Sequence, residues 1–220
     1  MEFTQWEPIY EQILQDFGYS RKEDEYSAKI LSELLEKKDP IDLNPNKVGV
    51  EDGIEKLQPI IMDREVLVCG NAPCLQEDIN KKYRIGYVVI AADGATTTLL
   101  HNNIIPDIIV TDLDGVIEDL IYANHLGALM VVHAHGDNIK AIKEIVPKLK
   151  NIIGTTQSRP LKKVYNFGGF SDGDRCVFLA KYFKAKSITI IGFDFEDPKV
   201  NPIKKKKLKW AKQLINMIDL

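Results

Sequence analysis

Two aspartates, Asp112 and Asp114, stand in the segment TDLDG, directly after the apolar run IIV. Side chains two residues apart on an extended chain lie on the same side, so these carboxylates can share a hard cation such as Mg²⁺. The same pair is also common among turn and helix-cap residues. Asp93 ends a separate apolar run, YVVIAAD, and a third carboxylate converging on the pair would be repulsive without a cation. We therefore predict Asp93, Asp112 and Asp114 as metal ligands.

The segment HAHGDN, residues 133–138, places two histidines before Gly, Asp and Asn. His133, His135 and Asp137 can serve acid/base chemistry, a phosphate or a transition metal, and the alternative is polar packing at the end of a strand. Zinc would need further ligands, so the aspartate-rich surroundings favour oxygen-bound Mg²⁺.

A third segment, NFGGFSDGDR, combines flexible glycines with a predicted helix start at Ser171. The first amides of that helix can bind a phosphate. Arg175 lies in the first turn, against the preference of the helix dipole, which favours a phosphate contact over a stabilising role. The segment is not a P-loop, and GNAP after the first predicted strand is not a dinucleotide fingerprint. The run KKKK at 204–207 is expected to be a solvated helix face rather than a phosphate clamp or nucleic-acid patch.

Length and composition limit the kind of protein that carries these motifs. The 220 residues suffice for one α/β domain with an appendage, and 45% hydrophobic residues can form a core. A net charge of −3 supplies no overall field for a polyanion, so the expected partners are small molecules rather than nucleic acid. The three cysteines are expected to be reduced thiols, and no membrane span or signal peptide is evident, which predicts a cytoplasmic protein.

Residues 1–62 are predicted to be a helical segment, because apolar residues recur at helical spacing in two stretches, one from Trp6 to Phe17 and one from Ile30 to Leu35. Prolines, Asn and Gly in the stretch 37–49 predict a connection, followed by a short helix ending near Met62. An α/β catalytic domain is predicted to cover residues 63–220.

From residue 66 onward, short β-branched runs alternate with amphipathic stretches of about 10–15 residues, which are predicted to be helices. Runs that are apolar on both faces suit buried parallel strands joined by right-handed crossovers. The predicted fold is therefore α/β and doubly wound, with a mainly parallel sheet and helices on both faces. The predicted strands are VLVCG (66–70), YVVIAAD (87–93), IIVTDLD (108–114), ALMVVHAH (128–135), NIIGTTQ (151–157), VYNFGGF (164–170) and SITIIGFDF (187–195).

Ligands of open parallel sheets bind outside the carboxyl ends of the strands, where the polar turns of this chain lie. Together these turns resemble a known family, the archaeal 6-hydroxymethyl-7,8-dihydropterin diphosphokinases, whose core is similar to the thiamine pyrophosphokinase catalytic domain. The resemblance covers most of residues 64–210. Its matching segments are GNAPCL, AADGAT, PDIIVTDLDG, HAHGDN, NFGGFSDGDRC and IIGFDF.

The resemblance implies an enzyme that uses Mg²⁺ and ATP to place a diphosphate on the hydroxymethyl oxygen of the pterin, releasing AMP, in tetrahydromethanopterin or folate-type cofactor synthesis. Asp112 and Asp114 would hold Mg²⁺, and Asp93 and Asp137 would complete the metal shell or orient the hydroxyl. His133, His135 or Asp137 could assist proton removal. The implied nucleotide and pterin contacts are Asn71, Gly94, Thr155, Gln157, Gly169, Ser171, Asp172, Asp174 and Arg175. The pterin edge suits any of four side chains, namely Asp172, Asp174, Asp194 and Asn138.

Three alternatives stay open. Thiamine pyrophosphokinases share the core, but that family usually carries a β-rich C-terminal domain and only about 25 residues follow IIGFDF here. Flagellin-glycosylating proteins with a related domain are much larger. A non-catalytic nucleotide-binding module would bind ATP without releasing AMP. A homo-oligomer is compatible with each of these alternatives.

Overall fold

The structure, a computed structural model, describes residues 1–38 and 52–218. The predicted connection over 37–49 lies outside these residues apart from its first two, which end a helix. The helices are α1 (Phe3–Phe17), α2 (Arg21–Lys38), α3 (Asp52–Ile61), α4 (Leu75–Lys82), α5 (Ala95–His101), α6 (Ile117–His125), α7 (Ile139–Ile145), α8 (Asp172–Tyr182) and α9 (Pro202–Asn216). The strands are β1 (Glu65–Cys69), β2 (Val88–Ala92), β3 (Ile108–Thr111), β4 (Leu129–Ala134), β5 (Ile152–Thr156), β6 (Val164–Tyr165) and β7 (Ser187–Ile191).

The seven strands form one sheet in the order β6-β5-β4-β3-β2-β1-β7, and every pair is parallel. Each run of apolar residues predicted as a strand contains one of them, although β6 has only two residues. The central strands β2, β3 and β4 are buried along their whole length, as expected for a sheet covered on both faces.

The order of the strands decides which face each helix covers. From β1 to β5 the chain steps in one direction, so right-handed crossovers place α4 to α7 on one face. From β6 it returns across the sheet to β7, which places α8 on the other face. Two separate clusters of buried side chains follow: one joins α2 and α4–α7 to alternate strand residues, and the other joins α3, α8 and α9 to the remaining ones. The doubly wound α/β prediction is confirmed.

The crossover helices on the first face are shorter than the 10–15 residues expected. They span 8, 7, 9 and 7 residues in α4 to α7. The difference arises because several residues after each strand form polar turns at the carboxyl edge of the sheet before the helix begins. No described helix combines the length and the apolar composition needed to cross a membrane.

The helices of residues 1–62 pack on both faces of the α/β layer structure. Trp6, Tyr10 and Ile13 of α1 pack against Phe170, which precedes α8, and against residues of α8 and α9. Helix α2 contributes Leu31 to the first cluster, and α3 contributes Leu57 to the second. The boundary near residue 62 stays a prediction, and the packing makes these helices part of the walls around the carboxyl edge.

Candidate active site

A trough of about 470 Å³ runs along the carboxyl edge of the sheet. This volume is in the range typical of small-molecule sites. Its floor comes from the turns after β1 to β5 and β7, and its walls come from the start of α8, the α1–α2 turn and α9. The predicted site residues on its surface are Asn71, Asp93, Gly94, Asp112, Asp114 and His135 from turns after β1 to β4. Asp137, Gln157, Ser171, Asp172 and Arg175 line it as well.

Four carboxylates meet at the middle of the trough. Asp93, Asp112, Asp114 and Asp172 each offer an oxygen, and these oxygens lie within 4.8 Å of one another. Asp172 was expected to contact nucleotide or pterin, and the structure places it beside the three predicted metal ligands. Buried polar atoms are normally hydrogen-bonded, yet the Oδ1 atoms of Asp93 and Asp112 are buried without a partner among the described residues. Unpartnered oxygen acceptors on clustered carboxylates fit Mg²⁺, a hard cation with oxygen ligands.

The turn after β3 is built to hold these carboxylates. The Thr111 hydroxyl donates to Asp93 Oδ2 and accepts the Leu113 backbone N–H at 2.7 Å. Leu113, which lies between Asp112 and Asp114, takes a left-handed backbone conformation with φ of 67°. The carboxylates on either side of it both reach the cluster. A Cβ at Gly115 would overlap Asp93 Oδ1, so only glycine leaves Asp93 in place.

The pKa values of the carboxylates in the cluster are shifted in different directions. Burial raises the pKa of Asp93, and the Thr111 hydrogen bond offsets part of that rise. Burial and the charge of Asp112 raise the pKa of Asp114 to about 6, and Lys207 opposes the rise. Burial also acts against ionised Asp112, but its hydrogen bond with His135 and the charge of Arg175 outweigh burial and hold its pKa below the usual range. The ionised carboxylates of the cluster therefore repel one another, and a bound cation would reduce this repulsion.

His135 is held as one tautomer by its neighbours. Its Nδ1 accepts the backbone N–H of Asp137 at 3.3 Å, so the proton lies on Nε2, which faces Asp112 Oδ2 at 3.2 Å. The imidazole thus orients the metal-ligand candidate Asp112. The side chain of Asp137 is exposed at the rim of the trough, outside the carboxylate cluster.

Two predicted residues near the ends of β4 and β5, His133 and Thr155, lie within the strands and face inward instead. The Thr155 hydroxyl donates to the Val132 carbonyl and lies 3.2 Å from His133 Nδ1, so that nitrogen carries the proton and donates to it. His133 is fully buried, and burial, with the charge of Arg175, lowers its pKa well below the ordinary value. Neither His133 nor Thr155 lines the trough, and both line a separate small cavity together with Arg175.

The start of α8 is fixed by Asp174, which is completely buried. Its carboxylate accepts the backbone N–H groups of Phe170 and Ser171 at 2.5 and 2.9 Å and the Ser171 hydroxyl. Gly169 has φ of 91° and packs against the backbone of Arg175, where a Cβ would not fit. Asp174 and Gly169 thus shape the loop and do not line the trough.

Arg175 reaches the trough with its terminal nitrogens. Nη1 donates to Asp172 Oδ1 at 3.1 Å, and Nη2 lies 3.4 Å from Gln157 Oε1. A buried guanidinium beside the carboxylate cluster offers positive charge to an anionic ligand and keeps Asp172 oriented.

Sequence reasoning missed Asp24, which is buried in α2. Its Oδ2 accepts from the Tyr10 hydroxyl at 2.6 Å and from Gln157 Nε2 at 2.8 Å, and its Oδ1 accepts the Gly136 N–H at 2.9 Å. Asp24 thereby links α1, α2, the HAHGDN turn and, through Gln157, Arg175. No sequence signal could reveal it, because Asp24 lies in the charged stretch RKEDE and its partners are distant in the chain.

Aromatic side chains stand at the two ends of the trough. Phe193 and Phe195 follow β7, with ring centroids 5.6 Å apart. Tyr19 and Phe170 lie at the other end, where the α1–α2 turn meets the turn after β4. Four strand spacings separate β7 from β4 in the sheet, which is about 19 Å. The site can thus accept an elongated ligand pair with a flat group at each end and anionic groups over the carboxylates.

Fold and site together define the class, an α/β protein whose candidate active site is assembled around clustered carboxylates at the carboxyl edge of a parallel sheet. Comparison with known proteins gives the family. The family model described as 6-hydroxymethylpterin diphosphokinase MptE-like matches residues 43–200, and the chain belongs to that family.

Curated relatives named 6-hydroxymethyl-7,8-dihydropterin pyrophosphokinase agree with this result over most of their length. The protein of Methanocaldococcus jannaschii is 45% identical, with 99% of this chain and 96% of the relative aligned. Those of Methanothermobacter thermautotrophicus and Pyrococcus furiosus are 41% and 40% identical, with 96% and 94% of each relative aligned. The resemblance stated from the motifs is confirmed.

Proposed function

We propose that this protein transfers a diphosphate from ATP to the hydroxymethyl group of 6-hydroxymethyl-7,8-dihydropterin and releases AMP. The observation that carries the proposal is the carboxylate cluster midway between two aromatic ends of one trough. The reaction joins two flat heterocycles through a polyphosphate, and this layout matches that shape. The family and the names of the relatives support the same acceptor.

In this reaction the hydroxymethyl oxygen forms a bond to the β-phosphorus of ATP, and the bond from that phosphorus to the oxygen of the α-phosphate breaks. AMP leaves with the bridging oxygen, and the alcohol proton is released. Such transfers depend on in-line positioning and on neutralising charge more than on a strong base. Mg²⁺ held by Asp93, Asp112, Asp114 and Asp172 would neutralise charge on the phosphate oxygens.

The chain's own residues have separate tasks in this proposal. Arg175 contacts a phosphate oxygen while Gln157 and Asp172 hold its guanidinium. His135 donates its Nε2 proton to Asp112 and is therefore not a free base in this geometry. The exposed carboxylate of Asp137 lies at the β4 end of the trough and outside the carboxylate cluster, so the alcohol proton is released to solvent rather than to Asp137.

The acceptor binds at the β7 end in this proposal. Four side chains are candidates for the pterin edge. The polar atoms of Asn138 and Asp174 form hydrogen bonds within the protein, and Asp172 belongs to the carboxylate cluster. Asp194 is exposed on the trough wall between Phe193 and Phe195. A carboxylate flanked by aromatic rings suits the amino-pyrimidinone edge of a flat pterin.

The test is AMP formation from ATP and Mg²⁺ with three acceptor conditions: 6-hydroxymethyl-7,8-dihydropterin, thiamine, and no acceptor. AMP formed only with the pterin, together with a pterin product two phosphates heavier by mass spectrometry, supports the proposal. AMP formed with thiamine instead would assign the activity to a thiamine pyrophosphokinase. ATP binding without AMP in any condition would contradict diphosphate transfer. The product would then feed tetrahydromethanopterin or folate-type cofactor synthesis.

A further inference from the structure

The lysine run at 204–207, expected to be one solvated helix face, divides between two environments. Lys204 and Lys207 line the trough, together with Leu208 and Ala211 of the same helix. These positions follow the spacing i, i+3, i+4 and i+7, which is a single face of α9. One face of α9 is therefore a wall of the active site.

The other two lysines point away from the trough. Lys206 forms an ion pair with Asp16 at 2.8 Å and stands over the Phe17 ring, with its Nζ 4.8 Å from the ring centroid. Lys205 is exposed and does not line the trough. Within the run, Lys206 is paired with Asp16, Lys205 is exposed, and Lys204 and Lys207 line the trough.

Positive charge facing the trough is scarce. Among the described residues that line it, the side chains with a permanent positive charge are Arg175, Lys204 and Lys207. Each terminal nitrogen of Arg175 already faces one protein acceptor, Asp172 or Gln157, which leaves fewer of its N–H groups for a ligand. Neither lysine forms an ion pair with a carboxylate of the described residues, so their ammonium groups can bind a ligand.

The position of Lys204 in the first turn of α9 is also unfavourable without an anion. The helix begins at Pro202, with Asn201 as its N-cap and no acidic residue in its first turn. Cations near a helix N-terminus are opposed by the helix dipole. An anionic ligand in the trough would be attracted both by the two ammonium groups and by this end of the helix.

We propose that Lys204 and Lys207 bind the β- and γ-phosphates of the nucleotide donor and make the site selective for a triphosphate over a monophosphate. The assignment rests on the proposed function in that the donor is a nucleoside triphosphate. It has a consequence for turnover: AMP, which has lost both phosphates, no longer contacts either lysine and dissociates readily.

The experiment measures dissociation constants of ATP, ADP and AMP with Mg²⁺ by isothermal titration calorimetry, without the pterin acceptor. The test variant is K204Q/K207Q. The matched control is K205Q/K209Q, which changes net charge equally at two exposed positions of α9. We expect K204Q/K207Q to weaken ATP binding about 10- to 100-fold, ADP binding less, and AMP binding by less than about threefold. The control should bind all three nucleotides as the wild type does.

Equal dissociation constants for ATP in the wild type and K204Q/K207Q would overturn the assignment, and so would equal weakening of ATP and AMP binding. If the double variant does not fold, K204Q alone serves, because Lys204 is exposed. Its expected loss of ATP affinity is about three- to tenfold. A wild type that binds ATP but forms no AMP with the pterin would refute only the proposed function. A wild type that binds no nucleotide would refute both.

Discussion

Replacing Asp24 by Asn tests whether the buried network under the active site holds the N-terminal helices to the α/β core. The carboxylate accepts three hydrogen bonds, from Tyr10, Gln157 and the Gly136 backbone, and is almost fully buried. Asn has nearly the same shape, but its amide nitrogen donates. Whichever way the amide turns, it faces at least one of these donors, so a buried N–H or O–H loses its acceptor.

The expected cost follows from these contacts. An unsatisfied buried donor costs about 1–3 kcal/mol, and each charge-assisted hydrogen bond that becomes neutral loses part of about 1.5–3 kcal/mol. Removing a buried charge offsets some of this loss. We expect Asp24→Asn to lower the free energy of unfolding by about 2–4 kcal/mol, which for a chain of this size is roughly 4–16 °C in melting temperature.

Urea unfolding followed by circular dichroism measures the change, with Glu25→Gln as the matched control. Glu25 is the next residue of α2 and is exposed, so its substitution should stay within about 0.5 kcal/mol of the wild type. Tyr10→Phe removes one donor to Asp24, and the double variant should cost at least about 1 kcal/mol less than the sum of the single ones. Equal stability of Asp24→Asn and Glu25→Gln, or strict additivity with Tyr10→Phe, would refute the reasoning.

Three further predictions concern the carboxylate cluster. Asp112→Asn should reduce AMP formation at least about a thousandfold. It should leave the fold intact, because the Asn oxygen can still accept from His135; a wild-type rate would contradict the role of Asp112. The melting temperature gained on adding saturating Mg²⁺, relative to EDTA, should grow as pH rises from about 4 to 7, because Asp93 and Asp114 have raised pKa values and must lose their protons to hold the cation. A gain that stays constant or shrinks as pH rises would contradict this. Gly115→Ala places a Cβ against Asp93 Oδ1 and should weaken Mg²⁺ binding at least about tenfold in a thermal-shift titration, whereas unchanged affinity would exclude Asp93 from the metal site.

Local pattern was enough to find the strands and the first metal-ligand candidates. Alternation and β-branched runs are properties of neighbouring residues, and all seven runs contain a strand. Asp112 and Asp114 lie two residues apart after β3, and Asp93 directly follows β2. The rule that parallel strands place their carboxyl ends at one edge therefore brings the three together. The motifs likewise led to the family that the comparisons confirm.

Tertiary structure decided what distant residues do. Asp172 joins the cluster only because α8 starts over the middle of the sheet, and Asp24 becomes a buried acceptor only because α2 packs beside the turn after β4. Thr155 and Asp174 have the residue types of ligand contacts, but packing directs their polar atoms inward. The hydrophobic periodicity of the sequence indicates which nearby residues share a face of a strand or helix. Which polar atoms lack a partner, and which charges face one another across a trough, depends on elements packing together from far apart in the chain.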